Sequence, residues 1–442
     1  MTSYPGQTMD AGRANRTEVL VVGAGVIGAS AALALAKSGH DVLVIDRNSG
    51  VGDGSTGASA GIIRVHASDT QSSALADDAL TVWKNWREFL GSDESENLAR
   101  FVQCGSLILD AGNGFTDQAA AAMTGAGVAF DKWTLDEMSG HFPYFDFRRF
   151  GPPKSVNDEA FWDEPTDYLS GGIYTPQSGY VGDPTLAAVN LMQAAQRAGA
   201  RLRLSATIAG VDIDGGRAVG VTLADGTVLR AEAVLVVAGP NTDGLIRGIG
   251  ATADFRVRTQ RIREELIHIP APPDLNLALH GVHLVDGDLN INFRPERDDA
   301  ILVGSNGDRA DERTLIDDPD DFNQLVTAAV WERTTLRLAR RIPDLGIPRT
   351  RMGVVGLYDA AEDWLPIYDR TCYDGLFVAM ATSGTQFKTA PIVGELLRHV
   401  IETELNGRDH TAEPFHSPVG NRTYATAQFS RLRTPREDQS RG

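Results

Sequence analysis

The chain has 442 residues, 42% of them hydrophobic, and sets 41 Lys and Arg against 59 Asp and Glu for a formal charge of −18. That length and composition describe a folded protein of two or three domains. The acidic balance, with no basic stripe, excludes an extended nucleic-acid surface, because a phosphate backbone would be repelled.

Residues 1–16 are polar and aperiodic, the pattern of a mobile tail. Two cysteines, Cys104 and Cys372, are too few for a disulfide scaffold, and no charged-then-apolar leader opens the chain, so a reducing, cytoplasmic setting is expected. Thr17–Val22 is a short apolar run closed by glycine, Val26–Lys37 an alanine-rich helix ended by Gly39, and Asp41–Ile45 a second apolar run; the succession predicts a βαβ unit. Within it, Val19–Ala36 runs eighteen residues without a charge, about the length that crosses a bilayer. Three glycines and Ser30 interrupt that run, which reads instead as strand, turn and helix end to end. Leu75, Ala79, Trp83, Trp86 and Leu90 then repeat at helical spacing within Ser72–Leu90, marking a face that packs on a sheet.

From about Phe101 short strands and loops alternate, beginning with Phe101–Asp110, and Thr134-Leu135-Asp136-Glu137 has the form of a capping box. This change of pattern predicts a second domain. Asp183-Pro184 supplies an N-cap and first-turn proline for a helix running to Gly199, followed by a meander turned at Asp214-Gly215 and Asp225-Gly226 and a buried strand Ala233–Val237. Strand patterns return from Asp254 to about Ser305, a long helix is expected near Asp320–Arg341, and strand Leu376–Met380 and a helix over 389–405 close the order. The domains are therefore expected to interleave. Residues 406–442, polar and aperiodic, read as a C-terminal tail whose docking the sequence leaves open.

Gly23-Ala24-Gly25-Val26-Ile27-Gly28 is a G-x-G-x-x-G between a predicted strand and helix. Glycines there permit a tight turn and close approach of backbone to a pyrophosphate, and the helix N-terminus stabilises the anion. Asp46, 18 residues beyond Gly28 at the end of the second strand, is placed to accept hydrogen bonds from a ribose, with Arg47 beside it. Dinucleotide binding is expected, but the motif alone does not separate FAD from NAD.

Across about residues 17–405 the chain resembles the superfamily of FAD-dependent D-amino-acid oxidases and sarcosine oxidases, the glycine oxidases included. The resemblance rests on Val21-Val22-Gly23-Ala24-Gly25-Val26-Ile27-Gly28, on Gly54-Ser55-Thr56-Gly57-Ala58-Ser59-Ala60-Gly61-Ile62-Ile63-Arg64, on Ala238-Gly239-Pro240, and on Ser383-Gly384-Thr385-Gln386-Phe387-Lys388 with Ala390-Pro391 beyond. It implies an α/β fold in which a Rossmann-like FAD-binding domain (17–95, 174–250 and 350–405) interleaves with an α+β substrate domain on a mixed or antiparallel sheet (96–173 and 251–349). It further implies that Ser55, Thr56, Ala60, Gly61 and Ile62 run along the pyrophosphate and flavin, that Ile208 packs on adenine, and that Ala238, Gly239, Ser383, Gly384, Gln386, Phe387 and Lys388 complete the cofactor site. Arg64 and Lys388 match positions that grip a substrate carboxylate, a planar fork and a point charge suited to an anion, and Tyr358 matches an active-site tyrosine. Read without the motifs, Arg64 and Lys388 are equally structural charges, Ser55 and Thr56 loop caps, Ile208 plain core and Tyr358 an amphipathic interface residue.

The implied reaction is oxidation of the CH–NH bond of an amino acid or secondary amine by hydride transfer to flavin, giving an imine that hydrolyses. By ungapped placement Leu302 falls where sarcosine oxidases carry an oxygen-promoting lysine, and Asn306 where they carry a histidine. Either oxygen or an electron-transfer partner is thus expected as acceptor. The cysteine and histidine that attach flavin covalently in relatives fall near Gly356 and Ala58, where neither nucleophile stands, so FAD is expected to be non-covalent. Cys104 and Cys372 read as thiols of no chemical role, His280 and His283 lack the further ligands of a metal site, and His66 reads as a packed or surface imidazole. Three alternatives stay open: an NAD-dependent dehydrogenase, a flavin-binding subunit of a larger dehydrogenase complex, and a 2-hydroxy-acid oxidoreductase of the same fold.

Overall fold

A computed structural model describes residues 15–296, 299–306 and 311–436 of the chain. Strand β1 (Arg16–Val22) turns at Gly23 into α1 (Val26–Lys37), which returns through Gly39 to β2 (Val42–Ile45). β2 and the inner half of β1 are buried on both faces, the requirement of a parallel sheet covered by helices, which is why they read as unbroken apolar runs. The charge-free stretch is thus strand, turn and buried helix. No helix among the described residues is long and apolar enough to cross a membrane. Arg16, placed in the expected tail, is the first residue of β1.

β3 (Ile62–Ile63) follows, then α2 (Thr70–Lys84), β4 (Phe101–Gln103), β5 (Ser106–Leu109), β6 (Asp131–Thr134), β7 (Gly171–Thr175) and β8 (Gly179–Val181). The single helix expected over Ser72–Leu90 is two: Asn85 leaves the helical region (φ −112°, ψ 35°), its Nδ2 bonds the Thr81 carbonyl, and a separate turn Trp86–Leu90 follows. Asp183 accepts from the Leu186 N–H at 2.8 Å and Pro184 opens α3 (Pro184–Arg197). β9 (Arg201–Arg203) pairs with β2, and β10 (Ile208–Asp214), β11 (Arg217–Leu223) and β12 (Val228–Val236) form the meander, with β12 crossing back beside β1 in parallel.

The second sheet is built from β13 (Thr259–Pro270), β14 (His283–Asp286), β15 (Ile291–Glu296), β16 (Ala300–Ser305) and β17 (Thr314–Leu315), in the order β17-β13-β16-β15-β14-β5-β7-β6. The helix expected from Asp320 begins eight residues later, as α4 (Ala328–Arg341). Thr327 caps it, whereas Asp318 spends its side chain on the Asp320 N–H at 2.9 Å, a local turn that competes with helix. β18 (Gly353–Ala361) pairs with β13 from Thr259 to Ile267. Sheet membership therefore changes after Ala361, not at the expected boundary of 350. β19 (Ile367–Arg370), β20 (Leu376–Met380) and α5 (Ala390–Leu405) complete the first sheet and its helical cover; α5 crosses α1 where Gly394 lies against Ser30, leaving no room for a Cβ.

Residues 406–436 are folded onto this body. Phe415, Tyr424 and Phe429 are buried, Arg431 bonds Asp369 and Asp254, Arg433 bonds Asp363, and Arg422 and Tyr424 both bond Asp78.

Candidate active site

Residues from both large sheets line one cavity of about 930 Å³, near the top of the ~300–1,000 Å³ range of small-molecule sites. Its nucleotide end is the turn from β1 to α1. Gly23 holds φ +121°; a Cβ there would be driven into the Val237 carbonyl, and one at Gly28 into the Gly23 carbonyl. Only glycine therefore lets the chain turn this tightly beneath a helix N-terminus. Asp46 accepts the Ala24 and Asn48 N–H groups at 2.7 and 2.8 Å, which fixes its carboxylate at the cavity edge. Arg47 is gripped by Asp320 at 2.6 and 2.8 Å, so a loop of the second sheet reaches across this end.

Every residue expected to bind cofactor or substrate lines this cavity: Gly23, Gly25, Val26, Ile27, Gly28, Asp46, Arg47, Ser55, Thr56, Ala60, Gly61, Ile62, Ile208, Ala238, Gly239, Ser383, Gly384, Gln386 and Phe387, together with Arg64, Tyr358 and Lys388. Of the two hydroxyls expected to meet phosphate, Ser55 Oγ is committed to the Leu357 carbonyl as a donor at 2.8 Å, whereas Thr56 Oγ1 accepts the Val26 N–H at 3.1 Å and keeps its own O–H to donate. Gly61 (φ +62°) lets β3 approach Val181 closely, and Gly384 (φ +65°) lies under the Tyr358 ring, where a Cβ would collide. Leu302 is buried and does not line the cavity, so the comparison made at that position carries no weight on the electron acceptor; Asn306 does line it.

Lys388 and Arg64 meet the cavity at its other end. Lys388 is 6% exposed, and burial first, then the charge of Arg64, holds its pKa well below the usual lysine value. Arg64 lines the cavity, and burial lowers its pKa to about 10. Its Nη1 donates to the His66 carbonyl at 2.7 Å. Among the described residues neither cation forms a salt bridge; the acid that acts on Lys388, Asp69, caps α2 and pairs with Arg436. Trp83 positions this end: its Nε1 donates to the Lys388 carbonyl at 2.7 Å, and its ring stacks on Phe387 at 5.3 Å. Sequence reasoning saw Trp83 only as helix packing.

His66 and His283 lie behind Arg64, both fully enclosed, their rings parallel with centroids 6.3 Å apart. Burial, and then the nearby cations, hold the pKa of His66 well below its ordinary value and that of His283 at about 3, so both are neutral. His283 lines the cavity beside Asn292 and Val285, whereas His280 is exposed. The one group of side chains with metal-ligand spacing among the described residues is Glu404, Asp409 and His410, away from the cavity. Cys104 and Cys372 are free thiols outside the cavity.

The donor set fits a dinucleotide: a glycine turn with no room for Cβ, a helix N-terminus without an acid in its first turn, and a buried-edge aspartate. A family model described as DAO, FAD dependent oxidoreductase, matches residues 18–400. The chain is 25% identical over 406 residues to a glycine oxidase of Geobacillus kaustophilus, covering 88% of this chain and 93% of that one. It is 24% identical over 397 residues to a sarcosine oxidase beta subunit of Rhodobacter capsulatus, covering 87% and 85%. Among solved structures it is similar in fold to L-proline dehydrogenase from P. horikoshii, with a TM-score of 0.73, 19% identity and 95% and 97% of the two chains covered. The chain belongs to the DAO family of FAD-dependent oxidoreductases.

Proposed function

We propose that the chain oxidises the CH–NH bond of a small amino acid or secondary amine that carries a carboxylate. The observation that carries this reading is the pair Arg64 and Lys388, two cations lining one cavity without a salt-bridge partner among the described residues. A buried charge is costly unless compensated, and a substrate carboxylate is the compensation that cavity can receive. Similarity to proteins named for glycine, sarcosine and L-proline supports an amino-acid substrate.

FAD would be held by the Gly23–Gly28 turn, Asp46 and the 54–62 and 383–388 segments, and supplies the acceptor for the hydride that leaves the α-carbon. The chain's own task is to hold the carboxylate with Arg64 and Lys388, exclude water, and receive the amine in its neutral form, whose lone pair assists loss of hydride. The nitrogen's proton leaves to solvent; water then adds to the imine and the C–N bond breaks, giving a carbonyl compound and an amine. No cysteine near Gly356 and no histidine near Ala58 is present to attach the cofactor, which supports non-covalent FAD.

Anaerobic addition of N-methyl amino acids, cyclic imino acids and D-amino acids to the yellow holoprotein tests this, with 2-hydroxy acids as the contrast. Bleaching by an amine supports the proposal, and bleaching by hydroxy acids alone rejects it. The rate of return on readmitting air distinguishes oxygen from an electron-transfer partner as acceptor.

A further inference from the structure

We infer that His283 is a further substrate-contacting residue, whose Nε2–H donates a neutral hydrogen bond to the carboxylate that Arg64 and Lys388 neutralise. The inference rests on the carboxylate reading above and extends it to a residue that neither motif nor likeness singles out.

Parallel pairing of β14 with β5 sets His283 directly across from Ser106. Ser106 Oγ and His283 Nδ1 are 2.8 Å apart, and Ser106 is fully buried. The hydroxyl has no other hydrogen-bond partner among the described residues. A buried hydroxyl hydrogen left without an acceptor is costly, so Ser106 donates and Nδ1 accepts. A neutral imidazole that accepts at Nδ1 carries its single hydrogen on Nε2. The Ser106 hydrogen bond holds the ring in this orientation, parallel to that of His66. His283 lines the cavity, so the Nε2–H is a donor available there, and burial first, then the charges of Arg64, Arg294 and Lys388, disfavours a second proton on the ring.

The acceptor for that donor follows from the chemistry of the substrate. An N–H directed at the reacting amine would occupy the lone pair that assists hydride loss. A carboxylate has about four acceptor sites, more than Arg64 and Lys388 occupy. A neutral third donor orients the carboxylate without adding a third positive charge to the cluster.

The test uses FAD-loaded protein and acetate as the probe, read by perturbation of the flavin absorption, together with anaerobic reduction by the best amine substrate. His283→Leu should raise the acetate Kd about 10- to 150-fold, the range of one hydrogen bond to a charged acceptor. The limiting rate of flavin reduction should change less than about threefold, because the interaction is made equally before and during reaction. His283→Gln, which restores a side-chain N–H donor, should recover most of the affinity, and Ser106→Ala, which frees the ring to change tautomer, should fall between. Equal acetate affinity in wild type, H283L and S106A overturns the inference, as does equal weakening in H283L and H283Q, which would leave His283 a packing role only. If Lys388→Met and Arg64→Met also leave acetate binding unchanged, the carboxylate reading itself has failed; if those two weaken it and H283L does not, only the inference about His283 has.

Discussion

Replacing Lys388 by methionine should stabilise the protein while loosening its hold on carboxylates. Lys388 is 6% exposed, burial is the largest influence lowering its pKa, and Arg64 adds to it; Asp69 opposes them but is committed to Ser72 and Arg436. Exchanging buried charges for apolar side chains of similar volume is often worth 1–4 kcal/mol. Because Lys388 sheds part of its cost through the lowered pKa, a gain of about 1–2 kcal/mol is expected in ligand-free protein. In the complex the same change removes a charge-assisted hydrogen bond worth about 1.5–3 kcal/mol, or roughly 10- to 150-fold in Kd. Urea unfolding of FAD-loaded wild type and K388M gives the first quantity, and acetate titration of the flavin band gives the second. The pH dependence follows from the sign of the shift. Carboxylate binds the protonated lysine, so affinity is greatest below the lowered pKa and falls as pH rises above it, until the higher pKa of the complex is reached; K388M should lack this fall. A variant that loses stability and binds acetate like wild type would refute the reasoning and make Lys388 a structural cation.

Gly28→Ala drives a Cβ into the Gly23 carbonyl and should leave the purified chain with less than about a tenth of its flavin, measured at 450 nm against protein; full flavin content would contradict the cradle. Arg431→Ala strips a partner from Asp369, which is fully buried, and should cost about 3 kcal/mol in urea unfolding, whereas a loss below about 0.5 kcal/mol would show the C-terminal segment to be loosely held. Stability should also decline in acid from within. His66 and His283 have lowered pKa values, so the stability of their neutral forms is fully present above about 6.5 and is lost as pH falls from there through the lowered values, about 3 for His283. His410 runs the other way: burial pushes its pKa down, but hydrogen bonds to Asp369 and Glu404 outweigh that and raise it, so its contribution is full below about 6.5 and fades as pH rises through the raised value. Unfolding free energies of wild type and H283Q between pH 7 and 4 should converge as pH falls; parallel curves would contradict the assignment.

The parts of the fold that were legible in the sequence are those set by local chemistry. β1, α1 and β2 announce themselves because both faces of a parallel sheet are buried, the 184–197 helix because Asp183 and Pro184 cap it, and the meander because Asp-Gly pairs turn it. What was not legible depends on partners distant in the chain. β18 looks like any apolar strand until β13 claims it, residues 406–436 carry too few apolar side chains to signal a core and are held by arginines on buried aspartates, and the start of α4 depends on Thr327 meeting Glu265. At the site, Arg64 and Lys388 stood out through their motifs, whereas Trp83 and His283 did not. Trp83 is hidden by a helical spacing that packing alone explains, and His283 acquires its meaning from Ser106, 177 positions away.

Oxidation of an amine anchored by its carboxylate is read from the visible spectrum of the purified protein during anaerobic titration with carboxylate-bearing amines. The protein should be yellow, with a band near 450 nm that bleaches with at least one N-alkyl or cyclic amino acid and does not bleach with the same amine lacking its carboxylate. A yellow protein that bleaches equally with and without the carboxylate, or with none of these amines, would contradict it.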